Sequence, residues 1–400
     1  MFRVFRKKML QESKPELHPG STLLLVMAIA AGASVANLYY AQPLLNTLAL
    51  DFQVSEGAAG IIITMTQLGY ALGLVLLVPL GDLIERRRLI TRISLAAVAA
   101  LVAAALSPRL VWFDIACLFI GITAVVAQVL VPFAAHLARD KDRGRVVGRV
   151  MSGLLMGILL ARVASGLVSD VLGWRGVYWI AAGMMLLQAI VLTRVLPAEP
   201  PQSKQSYAAL LGSILHLMRD EPVLRRRIVY GMAVFASFSV LWTGLPFLLA
   251  PAPYHYSDTV IGLFGLLGVA GVLMASIAGH LHDLGHTRQA TGGSLALVIL
   301  GFVLMGIWPH HVAAIIVGIV LLDLGVQGTQ ILNQSTIYTL RPEARSRLTT
   351  AYMTCFFIGG AIGSAVAAAA YTHLGWAGVS MAGGGFGTIG FLFWMGERRT

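Results

Sequence analysis

Hydrophobic and polar positions alternate along this chain as long apolar runs separated by brief polar turns. Apolar stretches fall at about 21–50, 57–80, 90–107, 110–135, 149–172, 175–196, 226–250, 259–279, 289–309, 311–337, 349–371 and 376–395. Each is near the roughly 20 residues that an α-helix needs to cross bilayer hydrocarbon. The pattern predicts an all-α integral membrane protein of twelve transmembrane helices. Nearly all connections are short, as antiparallel hairpins require. The exception is residues 197–225, where Pro197, Pro200 and Pro201 stop the sixth helix. An amphipathic stretch from Ser206 to Met218 follows, of a kind that lies along a membrane surface. Residues 1–196 are therefore expected to form an N-terminal six-helix bundle, 197–225 a cytoplasmic linker and 226–400 a C-terminal six-helix bundle.

Composition agrees: 57% of residues are hydrophobic and 12% charged, against about 25% charged in a soluble domain. A net charge of +11 invites a nucleic-acid reading, which the distribution of charge excludes. With the N-terminus inside, cytoplasmic segments hold 26 of the 29 Lys and Arg. Only Arg109 and Arg175 fall outside, and Arg162 lies within a span. That asymmetry is the positive-inside rule, and it places both termini in the cytoplasm. The basic start, MFRVFRKKML, looks like the charged region of a signal peptide. The apolar run behind it continues past Pro43, too long for a cleaved leader.

Other chemistry is easily set aside. Cys117 and Cys355 both sit in spans, so no disulfide framework is implied. Gly385, Gly387 and Gly390 match a dinucleotide fingerprint only within the last apolar run, where helix packing explains them. No Gly-Lys-Ser/Thr phosphate loop occurs. His280, His282 and His286 flank Asp283 in a polar turn, a poor setting for a metal. No cofactor, metal or enzymatic activity is expected.

Two polar turns repeat. Gly81, Leu83 and Glu85 of PLGDLIERRRLI (79–90) fall on Gly279, Leu281 and Asp283 of IAGHLHDLGHTR (277–288), an offset of 198 residues. Related membrane halves in tandem are how many secondary transporters are built. The first copy resembles the signature loop of the major facilitator superfamily, roughly Gly-x-Leu-x-Asp-Arg-x-Gly-Arg-Arg, with Arg88 where the family has glycine. Pro43, Asp51, Phe52, Ser55, Gly60, Thr64, Gly73 and Pro79 extend the likeness to its twelve-span drug/proton antiporter branch. The resemblance implies a state-dependent gate at Gly81, Asp82, Glu85 and Arg86, with Gly279 and Asp283 as second-half counterparts. Two positions depart from that pattern: Cys117 stands where an arginine precedes Gly121, and Gly157-Ile158 replaces a Gly-Pro mark.

Charges in the bilayer core are costly and ask for a reason. Asp323 and Arg162 are the two deep within spans, in the tenth and fifth helices. Gln327, Gln330 and Gln334 continue the Asp323 face at helical spacing, with Asn333 beside it. Such a stripe either lines a cavity or forms an interhelical hydrogen-bond seam. We take the cavity reading, with Asp323 exchanging a proton and Arg162 facing it from the other half. In the first helix, Asn37, Tyr40 and Pro43 share a face, while Tyr39 and Gln42 are expected to point elsewhere. In the seventh, Trp242 belongs to an aromatic stripe with Phe235 and Phe238. Gly69 and Gly73, Gly153 and Gly157, Gly265 and Gly268, and Gly359, Gly360 and Gly363 mark close helix contacts.

The expected function is secondary transport by alternating access: a monomer in the cell inner membrane exporting a small organic compound against proton entry. Proton-coupled import of a sugar, organic acid or amino acid is one alternative. A receptor or scaffold that binds without transporting is another.

Overall fold

The computed structural model describes residues 21–139, 142–201, 205–341 and 344–397. The basic N-terminal stretch and the last three residues, on which the placement of both termini rests, lie outside them. We label the helices α1 (Ser21–Ala36), α2 (Leu45–Phe52), α3 (Glu56–Leu83), α4 (Arg86–Ala105), α5 (Leu110–Leu137), α6 (Arg143–Leu172) and α7 (Trp174–Val195). After them come α8 (Tyr207–Asp220), α9 (Pro222–Leu249), α10 (Asp258–Asp283), α11 (Thr287–Ile307), α12 (Val312–Leu340) and α13 (Arg345–Gly396). Ten of these are long and apolar enough to cross a membrane, and no strand occurs among the described residues.

Two differences from the sequence pattern matter. The first apolar run is not one helix: α1 stops at Ala36, residues 37–44 form turns, and α2 resumes at Leu45. Pro43 carries no N–H for a helical bond, and its ring would crowd the preceding turn. The last two runs form one 52-residue element bent at Gly375, whose φ of 58° and ψ of −143° suit glycine alone. Helix ends otherwise overshoot the apolar runs, as at Arg143 and Leu340.

Local chemistry sets the starts. Ser55 caps α3 by accepting from the Ala58 amide at 3.2 Å, and Ser206 caps α8 through the Ala209 amide at 3.2 Å. In α8, Leu210, Ile214 and Leu217 form a buried stripe, as its amphipathic sequence requires. On the spans, exposed side chains such as Leu25, Trp112, Leu187, Leu273 and Ile389 are large and apolar. Water would make that surface untenable; lipid covers it.

Inside, small residues set the spacing. A β-carbon on Gly32 would strike the Gly153 carbonyl oxygen, and one on Gly157 would meet the Gly32 backbone. Thus α1 and α6 touch main chain to main chain. Gly157→Leu is expected to cost at least the about 1–3 kcal/mol of ordinary overpacking, because backbone cannot move aside as a side chain can. The check is the melting temperature and membrane yield of the variant; wild-type values for both would contradict this packing.

Segments before residue 197 and after residue 225 also meet. Thr64 Oγ1 lies 2.9 Å from Ser364 Oγ, and Gln67 Nε2 donates to Ser239 Oγ at 2.9 Å. At the end that the sequence pattern leads one to expect outside, Asp258 accepts from Thr47 Oγ1 at 2.9 Å and from Ser169 Oγ at 2.8 Å. Beside it the Thr259 amide donates to Asp170 at 3.1 Å.

Candidate functional site

The break in the first apolar run shapes the site. Because the chain turns rather than coils between Asn37 and Leu44, side chains there do not follow helical spacing. Tyr39 and Gln42, which that spacing points away, are the two that reach Arg162 on α6. Arg162 Nε donates to Gln42 Oε1 at 2.6 Å. Its guanidinium carbon lies 3.9 Å from the Trp242 ring centre, 4.8 Å from Tyr39 and 5.7 Å from Phe238. Stacking of this kind is worth about 0.5–2 kcal/mol per ring and fixes the orientation of the planar group. Arg162 is 2% exposed, yet its Nη2 has no hydrogen-bond partner.

Asp323 stands beside the same part of α10 as Arg162. That part is a 3₁₀ turn, Phe264–Gly268. A β-carbon on Gly265 would lie 2.9 Å from Arg162 Cδ, and one on Gly268 would lie 3.1 Å from Leu159 Cδ2 and 3.5 Å from Asp323 Oδ2. The two glycines thus let α6 and α12 both approach this turn. Asp323 is 4% exposed, and its Oδ2 also lacks a partner. The two charges act on one another electrostatically without an ion-pair contact. Burying either group without compensation would cost several kcal/mol, so each depends on the other's field.

The rest of the polar stripe on α12 divides. Gln327 packs its stem against Gly271, while Gln330 and Gln334 turn their amides to Met353 Sδ at 3.9 and 3.8 Å. Asn333 is fully buried in a knot of its own. Its Nδ2 donates to the Arg227 carbonyl and to Tyr352 Oη, each at 3.2 Å, and its Oδ1 faces Arg227 Nη1 at 3.5 Å. For Asn333 that geometry is an interhelical seam, a consequence of its lying just off the Asp323 face.

Asn37 and Trp242 sit deep, with Asn37 Oδ1 and Trp242 Nε1 both unpartnered. Tyr40 is buried as well. Phe238 belongs to the Arg162 cage, whereas Phe235 stacks on Phe356 at 4.0 Å.

The repeated polar turns differ in their contacts. In the first, Arg86 Nε donates to the Gly81 carbonyl at 3.1 Å, its Nη2 meets Asp82 at 3.3 Å, and its guanidinium lies over Phe133. Glu85 turns instead to Arg88 at 2.7 Å and Arg87 at 3.3 Å. Glu199, just past the end of α7, pairs with His136 at 3.0 Å nearby. In the second copy Gly279 has open space where a β-carbon would stand, and Asp283 is exposed. The second is held at its far end instead, where Arg288 Nη2 donates to the Glu397 carbonyl at 3.1 Å and Trp394 Nε1 donates to the Arg288 carbonyl at 2.9 Å.

Sequence reasoning missed the Gln42 and Tyr39 contacts and the hydroxyl lock on Asp258. The signal for the first was the Gln42-Pro43 step inside an apolar run, which marks a break as well as a kink. Ser257 before Asp258 marks a helix start, but nothing local marks the distant Thr47 and Ser169.

Similarities to known proteins can be set beside this geometry. A family model described as Major Facilitator Superfamily matches residues 24–355 and 254–400. A protein of Escherichia coli O157:H7 described as an uncharacterized transporter, YgaY, is 47% identical over 384 residues, covering 96% of this chain and 97% of its own. A Helicobacter pylori G27 protein described as a probable sugar efflux transporter is 22% identical, covering 93% of this chain and 94% of its own. Among solved structures, a bacterial homologue of the human lysosomal transporter Spinster, inward-facing and unoccupied, superposes with a TM-score of 0.75. It is 14% identical, with 96% of this chain and 97% of that one covered.

Proposed function

The chain belongs to the major facilitator superfamily, and from that premise we propose that it is a proton-coupled exporter of a small organic compound. It works by alternating access in the inner membrane, as a monomer, two six-helix bundles rocking about a central site. In this reading residues 1–196 and 226–400 are the bundles and 197–225 the cytoplasmic linker. The broken first segment α1 and α2 makes one crossing, and α13 makes two around Gly375, for twelve in all. Both termini then face the cytoplasm, as the basic residues favour.

One observation carries the proposal: Asp323 and Arg162, on opposite sides of the linker, are buried near each other with hydrogen-bonding atoms to spare. A secondary transporter needs a group whose charge state differs between its two half-cycles, with a partner that makes the difference felt. Asp323 carries the proton, and Arg162 is the fixed counter-charge. The turn of Gly81, Asp82, Glu85 and Arg86 acts as the gate on the cytoplasmic side, with Gly279 and Asp283 its second-half counterpart. Outward transport draws support from the relative described as a probable sugar efflux transporter.

A panel of toxic compounds, screened against a deletion strain and an overexpressing strain, supplies a test compound. Adding it to everted vesicles that hold an inside-acid gradient is expected to collapse the gradient. Proton uptake with the compound into right-side-out vesicles would make the protein an importer. Binding without flux in either preparation would make it a receptor.

A further inference from the structure

The site carries one spare donor and one spare acceptor, of opposite charge, close together. Arg162 has Nη2 free, its other contacts being the Gln42 amide oxygen and the aromatic faces of Trp242, Tyr39 and Phe238. Asp323 has Oδ2 free. They lie beside one short turn, Arg162 against Gly265 and Asp323 against Gly268, where α6 and α12 both approach. A solute bearing one charge leaves one of them unmatched. An organic anion on Arg162 would leave Asp323 facing a like charge, and a cation on Asp323 would face the guanidinium. A solute with both charges satisfies both groups at once.

We propose that the transported solute is a small zwitterion of the amino-acid class, its carboxylate on Arg162 and its ammonium on Asp323, with its apolar body against the Trp242 side of the cage. This rests on the exporter reading above and adds the substrate class to it. It also explains the exchange. Guanidinium keeps its charge throughout the physiological range, so the group that changes is Asp323. The solute's ammonium and a proton compete for the same carboxylate, so the site holds one or the other, as antiport demands. An anion alone would instead bind best with the proton in place, and the pair would move together. Arg162 is the charge that acts on Asp323, with Tyr39 behind it. Arg227, with Tyr352 and Glu397 near it, sits beside Asn333 further along α12.

The full-length protein in detergent micelles is tested by tryptophan fluorescence and thermal shift with L-phenylalanine and L-alanine. Each is compared with its one-charge analogues: 3-phenylpropionate and phenethylamine, propionate and ethylamine. At least one amino acid is expected to bind at least tenfold more tightly than both its analogues. Its affinity should fall as pH drops from about 7 to about 5, a range in which the free amino acid keeps both charges. Arg162→Gln and Asp323→Asn should each reduce amino-acid binding to the level of an analogue. The wild-type analogue series stands even where a variant fails to fold. An anion or amine that binds more tightly than the amino acid overturns the proposal. So does absence of binding by either amino acid up to millimolar concentrations. Proteoliposome flux separates the two readings: amino-acid binding without flux sinks the transporter reading and leaves the class. Flux of an uncharged sugar or a hydrophobic cation, without amino-acid binding, does the reverse.

Discussion

Asp323→Asn is expected to abolish proton-driven transport and to destabilise the protein more than Arg162→Gln does. The two changes remove opposite halves of one buried electrostatic pair, but the survivor differs. With Asp323 gone, Arg162 stays charged, since a guanidinium does not give up its proton in a protein. Among the described residues its remaining compensation is the Gln42 amide and three aromatic faces. Removing one partner of a buried pair typically costs about 3–5 kcal/mol. With Arg162 gone, Asp323 has a way out, because a carboxylate stranded in an apolar site can neutralise itself by binding a proton. The variant should therefore lose less stability while still losing exchange, its carboxylate no longer cycling. The double variant Arg162→Gln, Asp323→Asn carries no buried charge at this site, and its melting temperature should recover above that of Asp323→Asn alone. The thermodynamic cycle of the four proteins would give a coupling of about 0.5–3 kcal/mol, as for residues that share one site. Additive losses, or wild-type transport and pH dependence in Asp323→Asn, would show that the two residues do not work together.

Much of the membrane architecture was legible in one dimension because the bilayer imposes a single period and length on everything that crosses it. The pair Asp323 and Arg162 was legible for the same reason: any charge among lipid-length apolar runs stands out against cost. What encloses the pair was not. The face of Asn37, Tyr40 and Pro43 was drawn on a helix that ends at Ala36, so its register failed at the residues that matter. Asn333 shows a subtler limit. One step around α12 takes it from the Asp323 face to a seam with Arg227 and Tyr352, and only the placement of α9 and α13 decides which. The glycines at 265 and 268 read as ordinary close packing. Their service to Arg162 and Asp323 depends on three helices meeting, which no local pattern encodes.

Gly166→Leu is expected to hold the external entrance open. Here α6 and the start of α10 touch backbone to backbone. A β-carbon on Gly166 would overlap the Asp258 carbonyl oxygen, and one on Gly262 would overlap that of Arg162. The same contact carries the Asp258 carboxylate, 6% exposed and held by the hydroxyls of Thr47 and Ser169. Glycine closes the gap so that those hydroxyls can reach, and the two features work as one lock. A leucine at 166 has no flexible neighbour to displace and must push the helices apart. Overpacking of this kind costs the closed arrangement about 1–3 kcal/mol, or about tenfold to hundredfold in population at about 1.4 kcal/mol per tenfold. The open arrangement, in which α6 and α10 are apart, carries none of that cost. The shift is read by a cysteine at Ser165, which is 1% exposed beside the lock, on a background with Cys117 and Cys355 changed to alanine. An impermeant thiol reagent added outside should label Ser165→Cys slowly alone and at least tenfold faster with Gly166→Leu. Transport should fall, because the cycle must pass through the closed state, while binding of solute from the external side persists. Asp258→Ala, which removes the hydroxyl bonds but adds no bulk, should move labelling the same way by a smaller factor. Equal labelling in all three proteins would mean that this contact does not open during the cycle.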